Sequence, residues 1–225
     1  MATGDIIRVS DVDVSQITLG VPKALDNGGK MISLFHKGKP LIIQTPNMEV
    51  PYGLSKFPGD KGDKLSLDVS FKGNQQSVKD ILDLMKAIDA FCVQEAHKNS
   101  FAWLKQKSQS LAVMEALYTS VVRYPKDKET GEITDKYPPT MKLNIPTRDG
   151  KMRVDVFDIN RNTVDIESVN LKGATVASII RCNGIWVAGG KFGCKFNVLQ
   201  TQIKESQGGK ICGYAFLDDE RIMDA

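Results

Sequence analysis

The sequence predicts an α+β fold, with a small antiparallel β-barrel or sandwich as its main unit and one long helix set between the strands. Three observations predict it. Residues 65–71 alternate strictly between apolar and polar side chains. Residues 75–97 then switch to a helical period. From residue 118 onward the chain alternates again, in runs broken by glycine-containing turns. The order strand, long helix, then about five strands in hairpins is that of a sheet with a helix packed against it.

Each element has its own signal. Residues 31–36 and 41–44 are short β runs around His36-Lys37-Gly38-Lys39-Pro40, which reads as a hairpin turn. Residues 51–64, rich in Pro, Gly, Lys and Asp, read as a loop. Leu65, Leu67, Val69 and Phe71 mark one face of a strand that Gly73-Asn74 ends. Val78, Ile81, Leu82, Met85, Ile88 and Cys92 recur at three and four residues and mark one face of the helix. A second helical piece falls at 111–117. Val121 and Val122 open a short run, and 126–139 is a charged loop with prolines. Met141, Leu143 and Ile145 form the next apolar face. Thr147-Arg148-Asp149-Gly150 is a hairpin turn, because Asp-Gly supplies the positive φ that such turns need. Met152, Val154 and Val156 continue beyond it, opposite Lys151, Arg153, Asp155 and Phe157. Residues 174–182 are β-branched and apolar, and Asn183-Gly184 reads as another hairpin turn, into Ile185-Trp186-Val187. Gly189-Gly190 breaks the chain again before a last long strand at 192–203.

Composition narrows the class. With 25% charged and 41% hydrophobic residues in 225, the chain has the profile of a folded globular protein rather than a disordered or fibrous one. No apolar run approaches the roughly 20 residues that span a bilayer, and residues 1–10 lack the pattern of a secretory signal, so an intracellular protein without a membrane partner is expected. Cys92, Cys182, Cys194 and Cys212 show no metal or redox spacing and read as reduced, packed thiols. His36 and His97 show no metal spacing either, and neither a Walker loop nor a dinucleotide fingerprint is present. No metal, cofactor or catalytic group is therefore expected.

Charge distribution says more than the net charge of +3. Between residues 136 and 204, eleven Lys or Arg face five Asp or Glu, a net of +6; from residue 206 on, two face four, a net of −2. Lys142, Lys151 and Arg153 fall opposite the apolar alternation, Arg148 sits in the turn, and Phe157 shares the parity of Lys151 and Arg153. Arg181, Trp186, Lys191, Phe192 and Lys195 form a second basic and aromatic cluster. Cations neutralise phosphates and rings stack on unpaired bases at about 1–3 kcal/mol per base, so such faces suit a single-stranded nucleic acid. The bland alternative makes Trp186 and Phe192 core residues and the lysines a solvated rim.

These same residues carry a resemblance. The stretch Ile179-Ile180-Arg181-Cys182-Asn183-Gly184-Ile185-Trp186-Val187, followed by Gly190-Lys191-Phe192-Gly193-Cys194-Lys195-Phe196 and Val198-Leu199-Gln200, resembles the single-stranded DNA-binding proteins of nucleocytoplasmic large DNA viruses. That family is similar to the replicative single-stranded DNA-binding protein of phage T-seven. The resemblance implies an OB-fold at 61–205 that coats single-stranded DNA, without sequence preference or catalysis, during viral replication, recombination and repair. The β runs before it make residues 1–60 an N-terminal β-hairpin segment packing on that domain, and residues 206–225 form a short acidic tail of the kind with which members of that family end. In that tail Asp218, Asp219, Glu220 and Asp224 would contact replication proteins. A homo-oligomer is left open, as is the placement of residues 1–60, in the barrel or as an arm. Two other readings compete: a virion structural or scaffolding protein with the same fold, in which Arg153, Phe157 and Trp186 are buried at a protein interface, and a thiol enzyme using Cys92 or Cys194.

Overall fold

In the computed structural model, which describes residues 6–26, 28–59, 62–105, 110–148 and 150–204, short strands gather around two long ones. The first half of the chain supplies β1 (Lys30–Ile32), β2 (Ile42–Gln44), β3 (Met48–Glu49), β4 (Leu54–Phe57) and β5 (Lys64–Ser70). Three helices follow, α1 (Gln76–Lys98), α2 (Ser100–Leu104) and α3 (Leu111–Leu117). The second half supplies β6 (Thr140–Ile145), β7 (Asp155–Phe157), β8 (Thr175–Ala188) and β9 (Lys191–Lys204).

β8 and β9 form an antiparallel ribbon from Thr175↔Lys204 to Ala188↔Lys191, closed by Gly189-Gly190. Both outer edges of the ribbon are occupied. β1, β2 and β3 line up antiparallel on β8, opposite 185–187, 179–181 and 175–176. On β9, Tyr118–Thr119, β6 and β7 lie parallel, opposite 192–193, 196–197 and 200–202. β5 pairs with β6 along its length and meets β3 at Ser70↔Glu49. Pairing thus leads from β8 through β3, β5, β6 and β9 back to β8. Ile7–Arg8 adds to β2 in parallel, so the N-terminal strands share the main sheet. Ile17–Leu19, Leu34–His36 and Lys39–Pro40 make a separate three-stranded sheet whose Lys37-Gly38 tip is the expected hairpin turn.

Four expectations change. The sheet is mixed, not antiparallel, because the strands on the outer edge of β9 reach it by crossovers rather than hairpins. Residues 51–64 are not all loop, since β4 pairs with 64–67. The run from Lys151 to Phe157 is two elements: Lys151–Met152 pairs with Thr147–Arg148, Arg153 N–H donates to Pro146 O at 2.8 Å, and β7 goes to β9. Asn183-Gly184 is not a turn. β8 runs straight through it with a bulge, the other common use of a glycine with positive φ. Gly184 has φ +104°, and a Cβ there would sit 2.0 Å from Ile32 O of β1.

The inward faces of the strands and the apolar stripe of α1 share one core. α1 buries Val78, Ile81, Leu84, Met85, Ile88, Cys92, Val93 and Ala96, close to the predicted stripe. Its Asp89 fixes the crossing from α3 into the sheet. That carboxylate accepts from Tyr118 OH at 2.7 Å, from Val121 N–H at 2.9 Å, from Val122 N–H at 3.1 Å and from Ser120 Oγ. Four donors to one half-buried carboxylate hold a segment that has almost no regular structure of its own. Among the described residues no helix is long and apolar enough to cross a membrane.

Two expected outcomes follow from the glycine geometry. Gly184→Ala forces both a left-handed φ and a clash with β1, and should lower stability by about 3 kcal/mol, or roughly 6–12 °C in Tm. Gly189→Ala meets nothing within 4 Å at φ +59° and should cost only about 1 kcal/mol. Equal losses in thermal melts of the two variants would show that crowding by β1 is not what demands glycine at 184.

Candidate nucleic-acid interface

Alternation on the ribbon decides which side chains leave the core. Val176, Ser178, Ile180, Cys182, Ile185 and Val187 of β8 are buried, as are Phe192, Cys194, Phe196, Val198, Thr201 and Ile203 of β9. The opposite face carries Ala177, Ile179, Arg181 and Trp186 from β8 and Gly193, Lys195, Asn197, Gln200 and Gln202 from β9. Register shifts at 179/180 and 182/184 reset the alternation, so this outer face stays continuous from Trp186 to Ala177. Those nine residue steps span about 30 Å of strand.

One end of the face is basic and aromatic. Trp186 lies across Gly193, where an added Cβ would stand 3.0 Å from the indole Cζ2 and Nε1. Glycine there leaves room for the indole and for Thr119 O, which would stand 2.7 Å from such a Cβ. Lys195 Nζ is 5.5 Å from the Trp186 ring, and Lys142 Nζ is 5.1 Å from the exposed ring of Phe57. Arg123, Lys142, Asn144, Trp186 and Lys195 surround a cavity of about 160 Å³. Asn144 is anchored by donating from Nδ2 to Phe196 O at 3.1 Å. Partial burial, and then the repulsion of Lys64, hold the Lys195 ammonium below the usual lysine pKa. An anion arriving beside Lys195 would relieve both effects.

Further along, Arg181 is half-buried between Asn197 and Ile42 of the neighbouring strands. At the far end Gln44, Phe157, Arg161, Ile179, Gln200 and Gln202 line a second cavity of about 380 Å³. The face therefore offers rings at both ends and cations along it, the elements that hold unpaired bases and their phosphates.

The structure brings together only part of the predicted site. Lys142, Arg181, Trp186 and Lys195 share the outer face, and Lys191 stands exposed on it at the ribbon tip. Phe157 joins them at the far end, by pairing opposite Gln202 rather than by the parity with Lys151 and Arg153 used to select it. Arg148 and Lys151 sit on the small 147–152 hairpin, whose Thr147 Oγ1 bonds Asp63 O at 3.3 Å, and Arg153 is exposed just after it. Phe192 is corrected outright. It is 0% exposed, with its ring centroid 5.1 Å from that of Tyr118, so no base can reach it. Its inward parity, one residue out of step with Lys191 and Lys195, was readable. Asp218, Asp219, Glu220 and Asp224 lie outside the described residues, as does Cys212.

Sequence reasoning missed Phe57, Arg123, Asn144, Gln44, Arg161 and Gln200. The signal for Phe57 was an aromatic next to Lys56 in a segment taken for a loop; the others reach the face only through long-range pairing. The thiols offer nothing to compete with this surface. Cys92, Cys182 and Cys194 are buried, with Cys182 and Cys194 Sγ 3.4 Å apart. Hydrogen bonding with Cys182 and Cys92, and then burial, push the Cys194 thiol well above its ordinary pKa, the opposite of what activates a nucleophilic cysteine. Among the described residues no group of three or more His, Cys, Asp or Glu side chains could hold a metal ion.

Solved structures with a similar chain course include two phage proteins. The single-stranded DNA-binding protein of bacteriophage Enc34, in complex with single-stranded DNA, is 16% identical, with a TM-score of 0.48 over 83% of this chain and 95% of that one. The single-stranded DNA-binding protein encoded by bacteriophage T7 is 8% identical, with a TM-score of 0.45 over 78% of this chain and 98% of that one. Both likenesses are distant. No curated protein matches the sequence at a significant level. The sequence does match the family described as "Family of unknown function (DUF5871)" over residues 63–218, which include α1 and the whole β8–β9 ribbon. The chain belongs to the DUF5871 family.

Proposed function

We propose that the chain is a non-catalytic protein that binds single-stranded DNA along the outer face of the β8–β9 ribbon, with little regard to sequence. One observation carries the reading: a half-buried tryptophan packed against Gly193 of the sheet beside Lys195, with a second lysine–ring pair, Lys142 and Phe57, on the same side. A duplex keeps its bases stacked inside and has no use for rings on a sheet, whereas unpaired bases stack on them. The circuit of strand pairings around the ribbon is what an OB-type barrel would use to present such a face. On this reading the protein coats and protects DNA during viral replication, recombination and repair inside the host cell, as the resemblance of residues 179–200 implies.

The binding test is a fluorescence-anisotropy titration of oligo-dT and of duplex at several salt concentrations. The single strand should bind more tightly than the duplex and lose affinity as salt rises. Lys142→Ala with Lys195→Ala should reduce the slope of log K against log salt by about 1.4. Trp186→Ala should weaken binding about 10-fold or more with its melting temperature little changed. Lys151→Ala with Arg153→Ala, off the ribbon face, should do less than either. Absence of single-strand binding at low salt would remove the proposal.

The pH dependence has a sign. Lys195 gives up its proton at lower pH than ordinary lysines, and a bound phosphate favours the protonated form. Affinity should therefore fall first on the alkaline side, as pH rises through the lowered pKa. Lys195→Gln should lack that limb.

A further inference from the structure

The cavity at the Phe157 end differs in chemistry from the Trp186 end. Its lining has one ring, Phe157, one cation, Arg161, and three side-chain amides, Gln44, Gln200 and Gln202. Its volume of about 380 Å³ lies at the small end of the roughly 300–1,000 Å³ typical of small-ligand pockets. That is room for one nucleotide, not a run of them.

The polar groups below it are already committed to one another. Ser178 Oγ and Thr201 Oγ1 are 2.8 Å apart, and Thr45 Oγ1 accepts Ser178 N–H at 2.9 Å. Gln202 Nε2 donates to Asp158 O at 3.3 Å and ties the 158–162 loop to the sheet. The Asp158 carboxylate is turned to Asn162, whose backbone N–H and Nδ2 it accepts at 2.8 and 2.9 Å, so it does not neutralise Arg161. Among the described residues, the side-chain amides of Gln44 and Gln200 make no hydrogen bond. Both lie in one row across three strands, Gln44↔Ile179↔Gln200. A primary amide presents a donor and an acceptor side by side, the complement of a nucleobase edge.

We propose that this pocket takes a single unpaired nucleobase, its ring against Phe157 and its edge on the Gln44 and Gln200 amides, with Arg161 facing its phosphate. The inference rests on the single-strand reading above and adds to it one position of base discrimination in an otherwise sequence-tolerant groove. The same chemistry would take a base within a strand or a free nucleotide, and the test separates the two.

The experiment compares affinities for dT, dC and dA oligomers of equal length, by anisotropy at one salt concentration, for the unaltered chain and for Gln44→Leu with Gln200→Leu. Leucine keeps the bulk and removes the amide. The unaltered chain should favour one base by about 5-fold or more, and the double variant should bind all three alike at the weaker level. Thermal melts check that the variant is folded, and Phe157→Leu serves as a second probe that should weaken the preferred oligomer most. Calorimetry with the deoxynucleoside monophosphates alone assigns the source. Heat that is lost in the double variant would place a free nucleotide there; no heat, beside a base-dependent oligomer affinity, would place a base of a strand. Equal affinities for the three oligomers in the unaltered chain, with no heat from any monophosphate, would overturn this inference and leave the single-strand reading standing. Absence of binding to every oligomer, again with no heat, would overturn both.

Discussion

The pairing of β8 with β9 is the constraint on which the rest of the structure depends. Fourteen residues on each side of one glycine turn give two strands far longer than any other among the described residues. Each of the other main strands except β4 and β5 finds its place by pairing with an outer edge of this ribbon; β5 attaches through β3 and β6, and β4 through β5. Two glycines make the ribbon usable. Gly184 lets the β1 backbone approach to where no Cβ would fit, and Gly193 lets an indole lie on the opposite face. The helix α1 closes the inner side, and its Asp89 pins the chain where it re-enters the sheet.

Two faces of one ribbon thus carry two kinds of work. The inner face buries Phe192, Phe196, Ile180 and Ile185 and stabilises the fold. Among the described residues no helix covers the outer face, which keeps polar, cationic and aromatic side chains in a line about 30 Å long. Lys195 shows the tension between them. Held near Trp186 and Lys64, it is less comfortable as a cation than a lysine in water, and a phosphate would stabilise it.

Much of the fold was legible because it rests on local periodicity. The α1 stripe and the alternation of β5 and β6 follow from side-chain spacing alone. What was not legible depends on partners distant in sequence. Asn183-Gly184 has the local chemistry of a turn, and only the arrival of β1 makes it a bulge. The residues after Lys151 alternate throughout, with Val154 and Val156 buried, yet the backbone changes partners between Met152 and Asp155, so a shared parity does not put Arg153 and Phe157 on one sheet face. The same limit explains the site. Lys142, Arg181, Trp186 and Lys195 could be grouped from the sequence because they lie on or beside the ribbon. Phe57, Gln44 and Arg161 come to it from elements far away in the chain.

The central claim is that a single strand lies on the outer face of the ribbon. Ultraviolet cross-linking of the full chain to oligo-dT, with the modified residues located by mass spectrometry, tests this most directly. The account predicts adducts at Trp186, Phe57 and Phe157, and none at the buried Phe192. Adducts confined to the 147–152 hairpin, or efficient cross-linking that spares Trp186 and Phe157, would contradict it.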